Sequence, residues 1–235
     1  MPTSELTRVL DGLHEDVRNG RDLSTASAAT MAPLLGLDSV TVSLLSARGR
    51  LELLWVDPAD EIGAALDDLQ YAVGEGPTPE AAQTGLAVTT ADLTATLRWP
   101  ALADAARLLR ARAVVALPLR LGEATIGVLT GYRATAVPPS PAQLADLRAF
   151  ARVALDLLLQ TPTGVLDGAG DHLAEEALDL HRAEVHQAAG MLTVQLQVPI
   201  DAALLRLRVH AWTHDRPLYE VARDVIARRL HLDGT

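Results

Sequence analysis

Every basic side chain in this 235-residue chain other than histidine is an arginine: there are 20, and no lysine. Arg206, Arg208, Arg216, Arg223, Arg228 and Arg229 fall between residues 200 and 232, which hold only 4 acids. Guanidinium groups clamp phosphates through paired N–H donors, so this stretch is the candidate home for a polyanion. On a helical wheel Arg206 and Arg208 project about 160° apart. They do not form one tight patch, and spacing alone leaves a solvated or salt-bridged surface as an equal alternative. Tyr219, in the same segment, has the ring to stack on an unpaired base or to cap a helical core.

Other constellations are weaker. Gly74-Glu75-Gly76-Pro77-Thr78 clusters glycines at a helix start, where exposed backbone N–H groups can hold a phosphate. It lacks the Lys and Ser/Thr order of a P-loop, so a structural turn is the favoured reading. His181 and Glu184 share a helical face, but His186 projects about 140° from His181. With no third ligand in reach, no metal is assigned. Trp55, Tyr71, Trp99 and Tyr132 have the character of a small-molecule pocket on a sheet face, with plain core packing the equal alternative. Aromatics are 3% of the chain, leaving few rings to sandwich a flat cofactor, and no cofactor is assigned. The absence of cysteine excludes disulfides, thiolate zinc sites and cysteine catalysis. No catalytic set stands out, and the chain reads as a non-enzyme.

Composition narrows the partners. A formal charge of −10 argues against indiscriminate binding to nucleic acid or anionic membrane. The 49% hydrophobic content is enough for a sizeable core in one or two domains. No apolar run approaches the ~18 residues of a spanning helix, and the N-terminus lacks a charged-then-apolar signal. A cytoplasmic protein without a membrane partner is expected.

Periodicity supplies the elements that would position these residues. Glu5–Val17 and Leu23–Leu35 read as amphipathic helices, Ser39–Leu45 and Leu51–Val56 as strands joined by a turn at residues 47–50. Glu61–Gln70 and Pro79–Gln83 read as short helices, Leu86–Thr90 as a strand and Trp99–Arg110 as a helix. Ala113–Leu121 and Ala124–Tyr132 form a hairpin around Gly122-Glu123, and a helix covers Ala142–Leu159. Strands in the middle with helices at both ends imply an α+β domain over residues 1–160. Residues 161–170, rich in Gly and Pro, read as a linker.

Residues 171–235 read as three helices. Ala174, Leu178, His181, Val185, Ala188 and Leu192 recur at coiled-coil-like spacing, so the first helix is expected to pair, giving a homodimer. Its opposite side carries Arg182, His186, Gly190, Thr193 and Gln197. A glycine in mid-helix is about 1 kcal/mol worse than alanine and suggests close approach by a partner helix or nucleic-acid strand. Ile200, Ala203, Leu204, Leu207 and Ala211 of the second helix read as core. So do Leu218, Val221, Ala222, Val225 and Ile226 of the third (Leu218–Leu230), with Tyr219 and Arg223 outward.

Ala188-x-Gly190-Met191-Leu192, Ala203-x3-Leu207-Arg208-x2-Ala211 and Leu218-x2-Val221-Ala222 resemble the ANTAR domain of bacterial antitermination regulators. That resemblance implies binding of RNA stem-loops with exposed loop bases, to favour antitermination. The implied RNA-binding residues are Arg182, His186, Ala189, Gly190, Arg208, Arg216, Tyr219 and Arg223. At position 189 the family commonly has lysine, a phosphate contact that alanine lacks. A second reading therefore stands beside the first: a protein-interaction module whose helices have lost RNA binding.

Gly74-Glu75-Gly76-Pro77, Arg98-Trp99-Pro100, Ala116-Leu117-Pro118-Leu119 and Ile126-Gly127-Val128-Leu129, in that order, resemble a GAF domain over residues 5–160. Many relatives have cysteine where this chain has Thr78, so no thiol role is implied. The resemblance implies a sensory domain for a small-molecule or protein ligand, with Trp55, Tyr71, Trp99, Leu117 and Tyr132 as the pocket residues. The pair of domains is similar to actinobacterial GAF–ANTAR regulators.

Overall fold

The computed structural model describes residues 4–45, 51–57, 59–107, 110–160, 173–198, 203, 206, 207, 210, 211, 214, 216 and 218–232. The side chains at 4, 61, 104, 105, 173–183, 186, 218 and 219 are outside that description, as are the expected turn at 47–50 and linker at 161–170. The chain divides into two compact units, Met1–Ala169 and Gly170–Thr235. Among the described residues no helix is long and apolar enough to cross a membrane.

The first unit is built on an antiparallel sheet of five strands, in the order β2-β1-β5-β4-β3. These are β1 (Ser39–Leu45), β2 (Leu51–Trp55), β3 (Val88–Thr90), β4 (Ala113–Leu121) and β5 (Ala124–Arg133). The β4–β5 hairpin closes through Gly122, whose φ of 61° suits the twist of a tight hairpin turn. Register sets which residues share a face. Thr41 lies opposite Thr130 across β1 and β5, while Ala116 and Val114 lie opposite Thr130 and Tyr132 across β4 and β5. Because side chains alternate, these residues and Ser39 and Ser43 face one way, and Val40, Val42, Leu117 and Leu129 face the other.

Helices α1 (Ser4–Arg18), α2 (Ala28–Leu34) and α6 (Pro141–Gln160) cover the second of those faces. Leu6, Met31, Val42, Leu117, Phe150 and Leu157 are buried in one cluster there. The single helix expected over Leu23–Leu35 is instead a 3₁₀ turn (Leu23–Thr25) followed by α2. Two side-chain caps divide it: Ser24 N–H donates to Asp22 Oδ1 at 2.9 Å and Thr30 N–H donates to Ser27 Oγ at 3.3 Å. Such local side-chain acceptors compete with helix continuation.

The first face carries α3 (Glu61–Val73), α4 (Pro77–Thr84) and α5 (Pro100–Ala106), over a cluster of Leu66, Ala81, Leu102, Val114, Val128 and Tyr132. Gly63 lets α3 lie close on β1, since a Cβ there would collide with the Ser39 hydroxyl.

The second unit contains α7 (Leu173–Leu196) and α8 (Leu218–Ile226). Between them Ala203, Arg206, Leu207, His210 and Ala211 are helical. Val185, Ala188, Ala189 and Leu192 of α7 are buried, as are Ala203, Leu207, Ala211, Val221, Ala222 and Val225. From Val185 onward, then, the apolar seam of α7 belongs to the unit's own core. The expected third helix ends at Ile226 rather than Leu230. Arg228 turns left-handed there (φ 56°), and the N–H groups of Arg229 and Leu230 return to the Asp224 carbonyl at 2.8 and 3.1 Å, closing the helix end.

Candidate functional site

The chemistry-bearing cluster of the first unit lies where α3 and α4 cross the sheet. Ser39, Thr41, Ser43 and Thr130 on the strands, Asp67 and Gln70 on α3, and Thr78 on α4 are all buried polar residues. Tyr132 joins them from β5 at 1% exposure. Local sequence explains how the helices deliver these groups. Asp60 caps α3, accepting from Ile62 N–H at 3.1 Å and Gly63 N–H at 2.9 Å, and Ser39 donates to its other oxygen. Gly74 ends α3 in the left-handed region (φ 76°). Gly76 (φ 146°) then starts α4, with Pro77 in its first turn, where the missing N–H does no harm.

Several of these groups pair with one another. Ser43 Oγ donates to Asp67 Oδ1 at 2.9 Å, Thr78 N–H donates to Gln70 Oε1 at 2.9 Å, and the Thr78 and Thr130 hydroxyls meet at 3.0 Å. The phosphate-cradle alternative for Gly74–Thr78 thus finds the Thr78 N–H already engaged. Among the described residues, other buried atoms of the cluster have no partner in hydrogen-bond geometry: Thr41 Oγ1, Gln70 Nε2 and Tyr132 OH. The Tyr132 phenol is pushed above its ordinary range, first by burial and then by the charges of Asp67 and Asp60. Thr41 and Thr78 pull the other way, Thr41 by more than Asp60 raises it, without reaching strict hydrogen-bond geometry with the phenol oxygen. The cluster is therefore a closed surface of hydroxyls and an amide that includes the carboxylate of Asp67. Among the described residues it has no nucleophile–base pair for chemistry.

Carboxylates on α4 and the turn before it hold the neighbouring strap in place. Glu75 Oε1 accepts the N–H groups of Ala101 and Leu102 at 2.8 and 3.3 Å, capping α5 from outside. Glu80 accepts Trp99 Nε1–H at 3.0 Å and is ion-paired with Arg98, whose guanidinium lies 5.1 Å from the Trp99 ring centroid.

Residues 20–155 match the GAF domain family. The chain belongs to the GAF family. Its fold is similar to solved GAF domains of phosphoenolpyruvate-protein phosphotransferases. The Coxiella burnetii domain has 12% identity and a TM-score of 0.51, covering 68% of this chain and 96% of that one. The Acinetobacter domain has 12% identity and a TM-score of 0.50, covering 69% and 98%. No curated protein matches. A GAF domain fits a sensory role in signalling.

Within the GAF unit the five expected pocket residues do not converge. Tyr132 and Trp99 belong to the core under α3–α5. Trp55 and Leu117 belong to the opposite core, which corrects their placement in one pocket. Leu117 is paired with Leu129, one residue out of step with Thr130 and Tyr132. Trp55 packs at 5.8 Å from the Phe150 ring and donates Nε1–H to the Ala26 carbonyl at 2.8 Å, a satisfied core tryptophan. Tyr71 is half-buried on α3. The polar members Thr41, Asp67, Gln70 and Thr130 were missing from the expected set. Their signal was the run Ser39-x-Thr41-x-Ser43, a polar side on a strand that proves central.

The GAF match ends at residue 155, short of the helical unit. There Gly190 is exposed, and among the described residues nothing lies within 4 Å of a Cβ built on it. Ala189, at 0% exposure, is a core residue and offers no atom to a partner, correcting its place among contact residues. Arg216 is paired with Asp224 at 2.7 Å, and Arg223 with Glu184 at 2.8 Å. The latter pair also engages the carboxylate of the weighed metal set. The side chains of His181, Arg182, His186 and Tyr219, and all of Arg208, are outside the described residues.

Proposed function

We propose that this GAF protein is a ligand-responsive regulator. Its GAF unit senses a small molecule at the buried polar cluster, and its ANTAR-like helical unit binds RNA stem-loops to promote antitermination. The observation that carries the sensory part is the set of buried atoms without partners, Thr41 Oγ1, Gln70 Nε2 and Tyr132 OH. Unpaired groups of this kind are rare in native interiors, and a bound molecule supplies what they lack. The open flank at Gly190 supports a contact of α7 with a backbone from outside the chain. On this reading the protein works as a cytoplasmic homodimer offering two heads to paired loops, and no catalytic role is assigned. A mobility-shift assay with stem-loop RNA tests the output. Gly190→Leu, which fills the open flank, is expected to weaken binding at least tenfold, with affinity falling steeply as salt rises. Equal affinity for wild type and variant refutes the assignment of that flank.

A second output is favoured by a specific observation. Arg216, Arg223 and Arg229 are each ion-paired with an acid of their own unit, leaving less charge for phosphates. The helices then bind a protein, and sedimentation would show assembly while RNA binding shows no salt-dependent component.

A further inference from the structure

The described arginines of the helical unit differ in how their charge is met. Asp224 holds Arg216 at 2.7 Å and Arg229 at 2.8 Å, and Glu184 holds Arg223 at 2.8 Å. Arg228 is exposed, where water solvates it. Arg206 is the exception. Its side chain is half-buried, and its Nη1 is buried with no hydrogen-bond partner among the described residues. Taking a cationic nitrogen out of water without giving it an acceptor is disfavoured. The same fork paired with an anion makes one of the stronger polar contacts open to a side chain.

The position of Arg206 on its helix points to the kind of anion. It lies about 60° from the buried Ala203 on an ideal wheel, at the border of the core stripe. His210 follows one turn later on the same side, ~6 Å along the axis. The His210 ring stacks on that of His214, with centroids 3.9 Å apart, which carries the row past the helix end. Burial, then the charges of His214 and Arg216, lower the His210 pKa from its ordinary value, so Arg216 lies near enough to act on the same row. The described acids of the unit, Glu184, Glu220 and Asp224, are each within ion-pair distance of Arg216, Arg223 or Arg229. A lone carboxylate would suit an isolated arginine. A row of basic side chains at one-turn spacing suits a chain of phosphates, with imidazole rings beside it for unpaired bases.

We infer, on the RNA-binding reading proposed above, that Arg206 is a stowed phosphate contact: its head turns outward to pair with the RNA backbone beside His210 and His214. The contact positions the RNA and reads no sequence.

Two variants of the full chain test this with two hairpin RNAs that share a stem and differ in loop sequence. Arg206→Met keeps the stem and removes the guanidinium; Arg206→Lys keeps a charge. Arg206→Met is expected to raise the urea midpoint, because a buried unpaired cation is gone. It should also weaken both hairpins about tenfold and make the slope of log affinity against log salt shallower by about 0.9. Arg206→Lys should keep the wild-type slope, so a folding defect in one variant does not decide the outcome. Wild-type affinity in Arg206→Met overturns the assignment and leaves the RNA-binding reading standing. Weakening of one hairpin alone overturns it as well, since a base contact is then lost. A lowered urea midpoint overturns it by showing that the guanidinium is satisfied within its own fold. Loss of self-association in sedimentation with RNA affinity unchanged overturns it in favour of a carboxylate on a protein partner. No binding of either hairpin by wild type brings down both the assignment and the reading it rests on.

Discussion

Replacing Tyr132 by phenylalanine in ligand-free protein is a test by sign. The ring lies in the core with Leu66, Val114 and Val128, and phenylalanine keeps that packing. What it removes is a hydroxyl at 1% exposure that lacks a partner. An unsatisfied buried hydroxyl opposes folding by about 1–3 kcal/mol, so Tyr132→Phe should stabilise the GAF unit by about 1 kcal/mol. For a unit of this size that is a rise of about 2–4 °C in Tm, readable by calorimetry or urea unfolding. The alkaline limb supplies an independent arm. Burial and the charge of Asp67 hold the folded phenol above its ordinary value of 10.0. Below pH 10 both states keep this proton, and its contribution is fully present. Above pH 10 the unfolded chain releases it while the folded chain retains it. Wild-type stability then falls as pH rises, by up to about 1.4 kcal/mol per pH unit from this one group. Tyr132→Phe should remove that slope. Destabilisation of the variant at neutral pH would refute the reasoning, because it would mean the hydroxyl is satisfied. An unchanged alkaline slope would show that the phenol ionises without regard to folding.

Gly190→Ala should stabilise the helical unit by up to about 1 kcal/mol in urea unfolding, since alanine is the better helix former and a Cβ there meets nothing. Gly63→Ala should cost about 1–3 kcal/mol by the same assay, because its Cβ would collide with Ser39 and Asp60 at the α3–β1 contact. Arg112, with help from Thr94, holds the Asp92 carboxyl below its ordinary 3.8. The contribution of that carboxylate is present above pH 3.8 and is lost as pH falls toward the folded value, so Asp92→Asn should flatten the acid limb of a stability–pH curve.

Much of the GAF unit could be read from period and punctuation alone. Alternation located β1 and the β4–β5 hairpin almost to the residue, because strand period and the Gly122 turn are local properties. Two things required the third dimension. Leu117 and Tyr132 are both apolar-rimmed strand residues, and only the pairing of Leu117 with Leu129 shows that they face opposite ways. Likewise, Ser39, Thr41 and Ser43 alternate with Val40, Val42 and Leu44, a pattern that normally marks a solvated face. It becomes a buried polar face only because β1 lies between β2 and β5 with α3 laid across it. Gln70 and Asp67 carry no signal by themselves, being ordinary polar positions of an amphipathic helix until that strand meets them.

Ala189 and Gly190 of the helical unit are adjacent yet answer to different forces. Successive helical residues are turned by about 100°, which puts Ala189 into the core and Gly190 in the open. A lysine at 189 would have to bury its charge in the core of the unit, where Ala189 is at 0% exposure, or distort the packing, so alanine at that position follows from the way this unit closes. The alanine there is thus a packing feature and says nothing about RNA. Gly190 is the opposite case: among the described residues nothing lies within 4 Å of a Cβ there, and helix propensity disfavours a glycine. A residue that weakens its own helix without relieving a contact among the described residues is what the proposed contact from outside the unit would account for. If Gly190→Ala proves more stable and still binds stem-loop RNA as wild type does, that external contact is absent and the flank is only a surface.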